Sequence, residues 1–460
     1  MRFYGREKEL ELMELLNSKK PGFLVVTGKR RVGKTELIKE FIQNRKALYF
    51  FVDSNKSIEV LMREFGKYTV ETLKLPAYIN IDTPESLIDF LFSYNEDIVA
   101  VFDEFQRFQK LYPAFITQLQ KYWDLRSKES KLFLITSGSS VGMIKKIFIE
   151  GGAPLFRRAD NIVTLKPFSA KQIFRILDDL GIKDLQDKLD LYFLFGGTIY
   201  YYRLLEKYEC KNLKDAFSNL IFNDLAPLRR EMGDVLIEEF GKEHATYYEI
   251  ISALAEGKAT QKEIADNTHI SASSLPPYID ELINLLGIVE HRVPVTEDIR
   301  SKKGRYFLKD NFFRFYARFI YRNMSLYQGG RYDLLTEKTL SEWNAFTGWA
   351  FEEMVREILR EELAGEYEKI SSWWNRRGDE IDLLALGKNK GLAVEIKNKE
   401  LSQGEAMNLI EELKGKLAFV KDLPDRMMLG VAARKIIGKE ELEGKGFYVW
   451  DLETFSGTNG

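Results

Sequence analysis

The sequence predicts an α/β protein whose first part is a parallel sheet covered by helices on both faces. Three observations predict it. A length of 460 residues at about 150 per domain suggests three domains. Unbroken apolar runs at 23–26 and 98–102 have the length of buried strands. Helical spacing separates these from strand patterns at 47–52, 131–135 and 161–165, so the two element types alternate. With 45% hydrophobic and 30% charged residues the chain is of ordinary globular composition, which excludes disordered and collagen-like structure. No run approaches the roughly 18 apolar residues of a membrane span. The opening MRFYGREKEL has no apolar signal core, so a soluble, cytoplasmic chain with no membrane partner is expected. Cys210, alone, can form neither an internal disulfide nor a thiolate cluster, and His244, His269 and His291 are too scattered for a histidine metal site. The 68 basic and 70 acidic residues give a net charge of −2, so any nucleic-acid footprint must be local.

The first strand, at 22–27, runs into Gly28-Lys29-Arg30-Arg31-Val32-Gly33-Lys34-Thr35, which fits G-x-x-x-x-G-K-[ST]. The helical pattern ELIKEFI follows from Glu36. The order matters chemically. Glycines let backbone N–H groups close around phosphate oxygens, and the helix that follows points its positive end at them. Lys34 is expected to reach the β- and γ-phosphates, and the Thr35 hydroxyl to hold Mg²⁺.

A phosphate loop needs a second metal contact and a group that accepts the proton of the attacking water. The strand IVAVF at 98–102 ends in Asp103-Glu104, which supplies both: Asp103 for Mg²⁺, Glu104 as the catalytic base. The strand at 131–135 runs on to Thr136-Ser137, so Ser137 is either a γ-phosphate sensor or part of a simple strand-end turn. Arg157-Arg158 is either a charge-stabilising finger, with Arg158 as the sensor, or an ordinary surface pair.

YGREKEL near the start, RRVGKT in the loop, DEFQ at the strand end and the paired glycines Gly196-Gly197 downstream resemble the archaeal ATPase family. These are AAA-related, signal-transducing P-loop proteins of the STAND type, and the resemblance runs to about residue 325. It implies ATP as the nucleotide and further contacts to it from Gly5, Arg6 and Glu7.

Residues 166–240 are helical and aromatic-rich, as suits a lid. A compact series follows. A helix covers 247–255, a second opens at Thr260 with Glu263 in capping-box spacing, and a third covers 271–286. A β-wing through 292–308 carries Lys302-Lys303-Gly304-Arg305 at its turn. Three helices and a wing form the plan that places a helix in the major groove. Eight basic residues stand against Asp310 alone within 300–322, a charge that suits phosphates. The same unit also serves as a lever or protein-contact module, and Pro276-Pro277 disturb the surface that would read bases.

After a connector the pattern restarts. Phe351, Met354, Val355, Ile358 and Leu359 mark one apolar helix face, with Glu352 on its edge and Glu353 pointing away. A strand carrying Asp382 and a strand reading AVEIK, with Glu395 and Lys397 on one face, follow. Acid, then acid-x-lysine, on neighbouring strands is the constellation of PD-(D/E)XK nucleases. Glu352, Asp382 and Glu395 are expected to hold Mg²⁺, and Lys397 to position the nucleophile. Phe351-Glu352, Glu380-Ile381-Asp382 and Val394-Glu395-Ile396-Lys397 also resemble the DEXX-box ATPase carboxy-terminal domain over about 345–450, which implies a restriction-endonuclease-like fold.

The expected organisation is a P-loop ATPase core at 1–165, a helical lid at 166–240, a winged helix-turn-helix at 241–325, a connector at 326–344 and a nuclease-like α/β domain at 345–460. The function expected is ATP hydrolysis coupled to Mg²⁺-dependent cleavage of nucleic acid, DNA before RNA. The other reading is a nucleotide-controlled switch or scaffold whose later domains bind a partner without cutting. Self-assembly in the ATP state stays open.

Overall fold

Every residue of β1 (Gly22–Thr27) and β3 (Ile98–Asp103) is buried, as continuous apolar runs at the centre of a sheet should be. The computed structural model describes residues 2–76 and 78–457. With β2 (Ala47–Phe51), β4 (Leu132–Gly138) and β5 (Asn161–Thr164) these strands form one sheet in the order β2-β3-β4-β1-β5, and each neighbouring pair is parallel. Strand alternation sends side chains to two cores. Phe23, Val25, Ala100, Phe102 and Leu134 enter one; Leu24, Val26, Val99, Val101 and Ile135 enter the other. The carboxyl ends of β1, β3 and β4 therefore lie together, and ligands of open parallel sheets bind at such ends.

The chain divides into two compact units. The first holds the residues up to Phe168 with Thr198–Arg203 and Pro277–Ile288; the second holds Ser169–Gly197, Leu204–Pro276 and the remainder from Val289. The expected lid is helical, as predicted, but Thr198–Arg203 from it groups with the sheet. The third helix of the expected helix-turn-helix forms as Leu275–Asn284, with Pro276 and Pro277 in its first turn. Most of that helix groups with the first unit: the carbonyl of Asn284 lies 3.3 Å from the position a Cβ on Gly142 would take. The contact lies at the helix's last turn, while Pro276, Pro277 and Asp280 stay exposed.

In the second unit, the helices His244–Ala255 and Gln261–Thr268 form as predicted, the latter with the Thr260–Glu263 capping box. The strands β6 (Val289–Arg292) and β7 (Arg305–Leu308) make an antiparallel pair. The residues around this hairpin are fused to the carboxy-terminal sheet. Val295 N–H donates to Ser372 O at 3.0 Å, and Val295 joins Trp373, Ile381 and Leu384 in one core. Trp374 Nε1 donates to Lys303 O at 2.9 Å. The basic run is consumed in the same way. Lys303 pairs with Glu297, Arg305 with Glu380, Lys309 with Glu290, Arg318 with Glu342 and Arg322 with Glu256. Arg314 lies over Trp349 at 4.3 Å. Arg300 and Lys302 alone in that run are left exposed without an acidic partner among the described residues.

The connector expected at 326–344 is replaced by the helices Met324–Gln328 and Tyr332–Leu363, the second 32 residues long. Leu335, Thr339, Trp343 and Phe346 give it a buried stripe that continues into the predicted face of Phe351, Met354 and Val355. Glu353, expected to point away from that face, is half-buried between two arginines. Arg292 grips it with two bonds of 2.6 Å, and Arg356 pairs with it from one turn on. Burial opposes its charge, but the two guanidiniums outweigh burial and hold its pKa down to about 2.

The last sheet runs β12-β11-β10-β9-β8. Here β8 (Lys369–Trp374), β9 (Glu380–Leu386) and β10 (Lys390–Leu401) form an antiparallel meander. The helix Gln403–Leu417 then returns the chain so that β11 (Arg426–Ile436) pairs parallel with β10, and β12 (Tyr448–Trp450) follows parallel.

Candidate functional site

The P-loop joins β1 to the helix Lys34–Ile42 through backbone that only special residues adopt comfortably. Gly28 has φ 146°, and a Cβ there would meet Leu165 O at 2.6 Å; Gly33 has φ 101°. Lys34 is buried and its Nζ donates to Gly28 O at 2.8 Å and to Lys29 O at 3.0 Å, across the mouth of the loop. Arg6 closes the loop from the amino-terminal side. Its Nη2 donates to Val32 O at 3.3 Å and to Lys166 O at 2.7 Å, and its guanidinium lies over Phe168 at 4.3 Å. Burial lowers its pKa despite Glu9. Arg31, with φ 65°, stacks on the Tyr200 ring at 4.2 Å, and Arg203 pairs with Glu36 at 3.0 Å.

Asp103, at the end of β3, is the hub. Its Oδ2 accepts from the Thr35 hydroxyl at 3.1 Å and from the Tyr49 hydroxyl; its Oδ1 accepts from the Ser137 hydroxyl and from the Glu104 N–H at 3.0 Å. Burial, then the Asp103 charge, pushes the Tyr49 phenol far up, so it stays a donor. Thr35 and Asp103 form a hard-oxygen pair, a donor set that fits Mg²⁺. Glu104 sits at φ 56°, and its Oε2 accepts from Gln106 Nε2 at 2.6 Å and from Ser139 Oγ at 3.0 Å. Arg158 does not join this group: its Nε and Nη2 each bind Asp124 at 2.8 Å, and its Nη1 binds Pro154 O and Phe156 O at 3.1 Å.

A second cluster lies in the carboxy-terminal sheet. The register Val394 opposite Leu383 makes Glu395 and Asp382 the next neighbours along the ladder, so the hairpin brings them together. Lys397 Nζ lies 2.8 Å from Glu395 Oε1 and 3.5 Å from Asp382 Oδ2, while Ile396 N–H donates to Asp382 Oδ2 at 2.7 Å. Lys416, from the last turn of Gln403–Leu417, holds both Glu395 oxygens at 3.1 and 3.0 Å. Burial and then Glu395 raise the Asp382 pKa. Burial and then Asp382 push the Glu352 pKa up to about 8. Burial works against a charged Lys397, but Asp382 and Glu395 outweigh it and raise its pKa. The acids and lysine predicted from spacing do meet. Both Glu395 oxygens and Asp382 Oδ2, however, accept from ammonium or N–H donors, and among the described residues no group of three or more His, Cys, Asp or Glu could hold a metal ion. Glu395, one of the three carboxylates expected to hold Mg²⁺, is instead paired with Lys416, a partner the spacing did not announce.

Comparison with known proteins bears on both regions. A family model described as an ATPase domain predominantly from Archaea matches residues 3–205, and one described as archaeal and bacterial proteins of unknown function matches 316–409. The Methanocaldococcus jannaschii protein MJECL04 is 32% identical over 464 aligned positions, covering 99% of this chain and 100% of its own length. The chain belongs to this archaeal ATPase family. A shorter M. jannaschii ATP-binding protein, MJ0423, is 47% identical over 45 residues, 10% of this chain and 76% of that one. Among solved structures, the Walker-type ATPase PABY2304 of Pyrococcus abyssi superposes with a TM-score of 0.52 at 19% identity, covering 69% of this chain and 96% of that one.

In the archaeal ATPase, then, Thr35, Ser137 and the Glu104 N–H meet on Asp103 beside the loop that Lys34 spans, and Asp382, Glu395 and Lys397 meet in the carboxy-terminal sheet. Sequence reasoning missed Tyr49, Gln106, Ser139 and Lys416. For Tyr49 a signal existed: it interrupts the apolar run of β2 between buried Leu48 and Phe50. Lys416 gave none, since a lysine in the last turn of a helix reads as ordinary dipole compensation. No helix among the described residues is long and apolar enough to cross a membrane.

Proposed function

We propose that the ATPase couples ATP hydrolysis in the first unit to cleavage of a phosphodiester strand, DNA before RNA, in the second. At the P-loop, Lys34 and the amides of 28–35 bind the phosphates, Thr35 and Asp103 hold Mg²⁺, and Glu104 takes the proton of the attacking water once Gln106 and Ser139 release it. Bound Mg²⁺ supplies charge neutralisation between the phosphate oxygens. Ser137, bonded to Asp103, is the sensor in this reading; Arg158 would first have to leave Asp124.

The observation that carries the cleavage reading is the convergence of Asp382, Glu395 and Lys397 at one point of β9 and β10. Its support is the order of elements: a long helix, an antiparallel meander, then a helix and a parallel strand around that point. Lys397 orients the phosphate and the acids flank it. Glu395 becomes available to an incoming cation only when Lys416 leaves it. Incubating the full chain with linear duplex and single-stranded DNA and divalent cation should give nicks or cuts, and Glu395→Ala should abolish them while ATP hydrolysis persists. Intact DNA of both kinds would refute the reading.

The grip of Lys416 on Glu395 favours one other reading, a nucleotide-controlled scaffold in which this cluster is a structural ion network. Under it, Lys34→Ala removes function in the cell and Glu395→Ala does not.

A further inference from the structure

The helix Glu231–Phe240 buries Met232, Val235 and Leu236 on one side. Its other face, at spacing i, i+3, i+4, i+7, is Arg230, Gly233, Asp234 and Ile237. Of these only Ile237 is a large apolar side chain, and it is exposed. The face borders a cavity of ≈ 350 Å³, within the range of small-molecule sites. The opposite wall is aromatic, formed by Tyr248, Tyr316 and Tyr327.

Two of these tyrosines are fixed. Tyr316 Oη donates to Arg229 O at 3.0 Å, and Tyr327 Oη to Ile221 O at 2.8 Å. Both fixings involve π-helical turns, Tyr316–Ile320 and Phe217–Ile221, an irregularity frequent at functional sites. Tyr248 differs. Its ring is stacked on Tyr321 at 4.8 Å and 16°, while its hydroxyl makes no hydrogen bond among the described residues. Gly233 leaves room for that hydroxyl, which would lie 2.8 Å from any Cβ there. Burial pushes the phenol up to about 12, so it is a donor across the physiological range. His244 Nδ1 donates to Gly241 O at 2.8 Å, which leaves Nε2 outside that bond. Asp234 and Arg230, 3.6 Å apart and both exposed, add an acceptor and a cation at the mouth.

Flat aromatic walls, a mixed donor and acceptor edge and one arginine at the entrance suit a planar heterocycle carrying an anionic group. We propose that this cavity is a second nucleotide site, separate from the P-loop, which stacks a base against Tyr248 and meets its phosphate with Arg230. The nucleotide comes either free, as a monophosphate, or as one unit of a single strand.

Calorimetric titration of the full chain carrying Lys34→Ala distinguishes these sources. AMP, GMP, CMP and UMP form one arm, and a short single-stranded oligonucleotide the other. Saturable binding of a monophosphate assigns the free ligand; binding of the oligonucleotide alone assigns a strand. In either case Tyr248→Ala and Arg230→Ala should each weaken binding about tenfold. Arg230 is exposed, so its variant keeps the fold and holds the test open if Tyr248→Ala unfolds. No binding in either arm, or binding unchanged by the variants, overturns the proposal.

Discussion

Three hydroxyls and one backbone amide converge on the Asp103 carboxylate, and this convergence decides what single substitutions should do. Glu104 carries no such structural duty towards the sheet, so Glu104→Gln should keep nucleotide affinity while turnover falls about 10²- to 10⁴-fold, the usual loss of a general base. A nucleotide-binding titration beside a steady-state phosphate-release assay checks both halves. Tyr49→Phe removes one charge-assisted bond to a buried carboxylate and should lower stability by about 1–3 kcal/mol in denaturant unfolding. An unchanged midpoint would show that the hydroxyl contributes nothing. At this scale the sequence was most legible where chemistry demands contiguous residues. The loop 28–35 and Asp103-Glu104 are fixed by spacing along the chain. Tyr49, Ser139 and Lys416 act across space from other elements, and no one-dimensional pattern announces such a partner.

Elements were legible where a buried face repeats. The strands β1 to β5 and the Thr260–Glu263 cap all form close to their predicted places. The connector failed because its glycines, Gly329 and Gly330, and its polar surface hid the stripe of Leu335, Thr339, Trp343 and Phe346. The basic wing shows a different limit: charge counted along a chain ignores acids brought in from other elements. Arg305 illustrates it, paired with Glu380 at 3.3 Å and lying 4.9 Å over Trp374. Arg305→Ala should therefore lower thermal stability, by about 1 kcal/mol, and leave the salt dependence of nucleic-acid binding unchanged. A shallower salt slope would return the wing to phosphate contact. Arg292 binds the hairpin to the long helix through Glu353. Arg292→Met leaves a partly buried, ionised carboxylate with only Arg356 for company, and should destabilise by about 3 kcal/mol in chemical denaturation.

For the whole molecule, the domain boundaries read from sequence give way to two units that do not follow chain order. Thr198–Arg203 and Pro277–Ile288 join the sheet that carries the P-loop, although each is flanked by residues of the other unit. Chain connectivity thus passes between the units several times, and contact partners, which decide unit membership, are invisible in a linear pattern. The proposed coupling links the P-loop to Glu395 and its two lysines. The direct test is the rate of DNA cleavage by the full chain with divalent cation, measured without nucleotide, with ATP, and with ATP on Glu104→Gln. Coupling predicts that ATP changes the wild-type rate and that Glu104→Gln, which binds but does not turn over, fails to reproduce the wild-type response. Equal cleavage under all three conditions, or none under any, would contradict it.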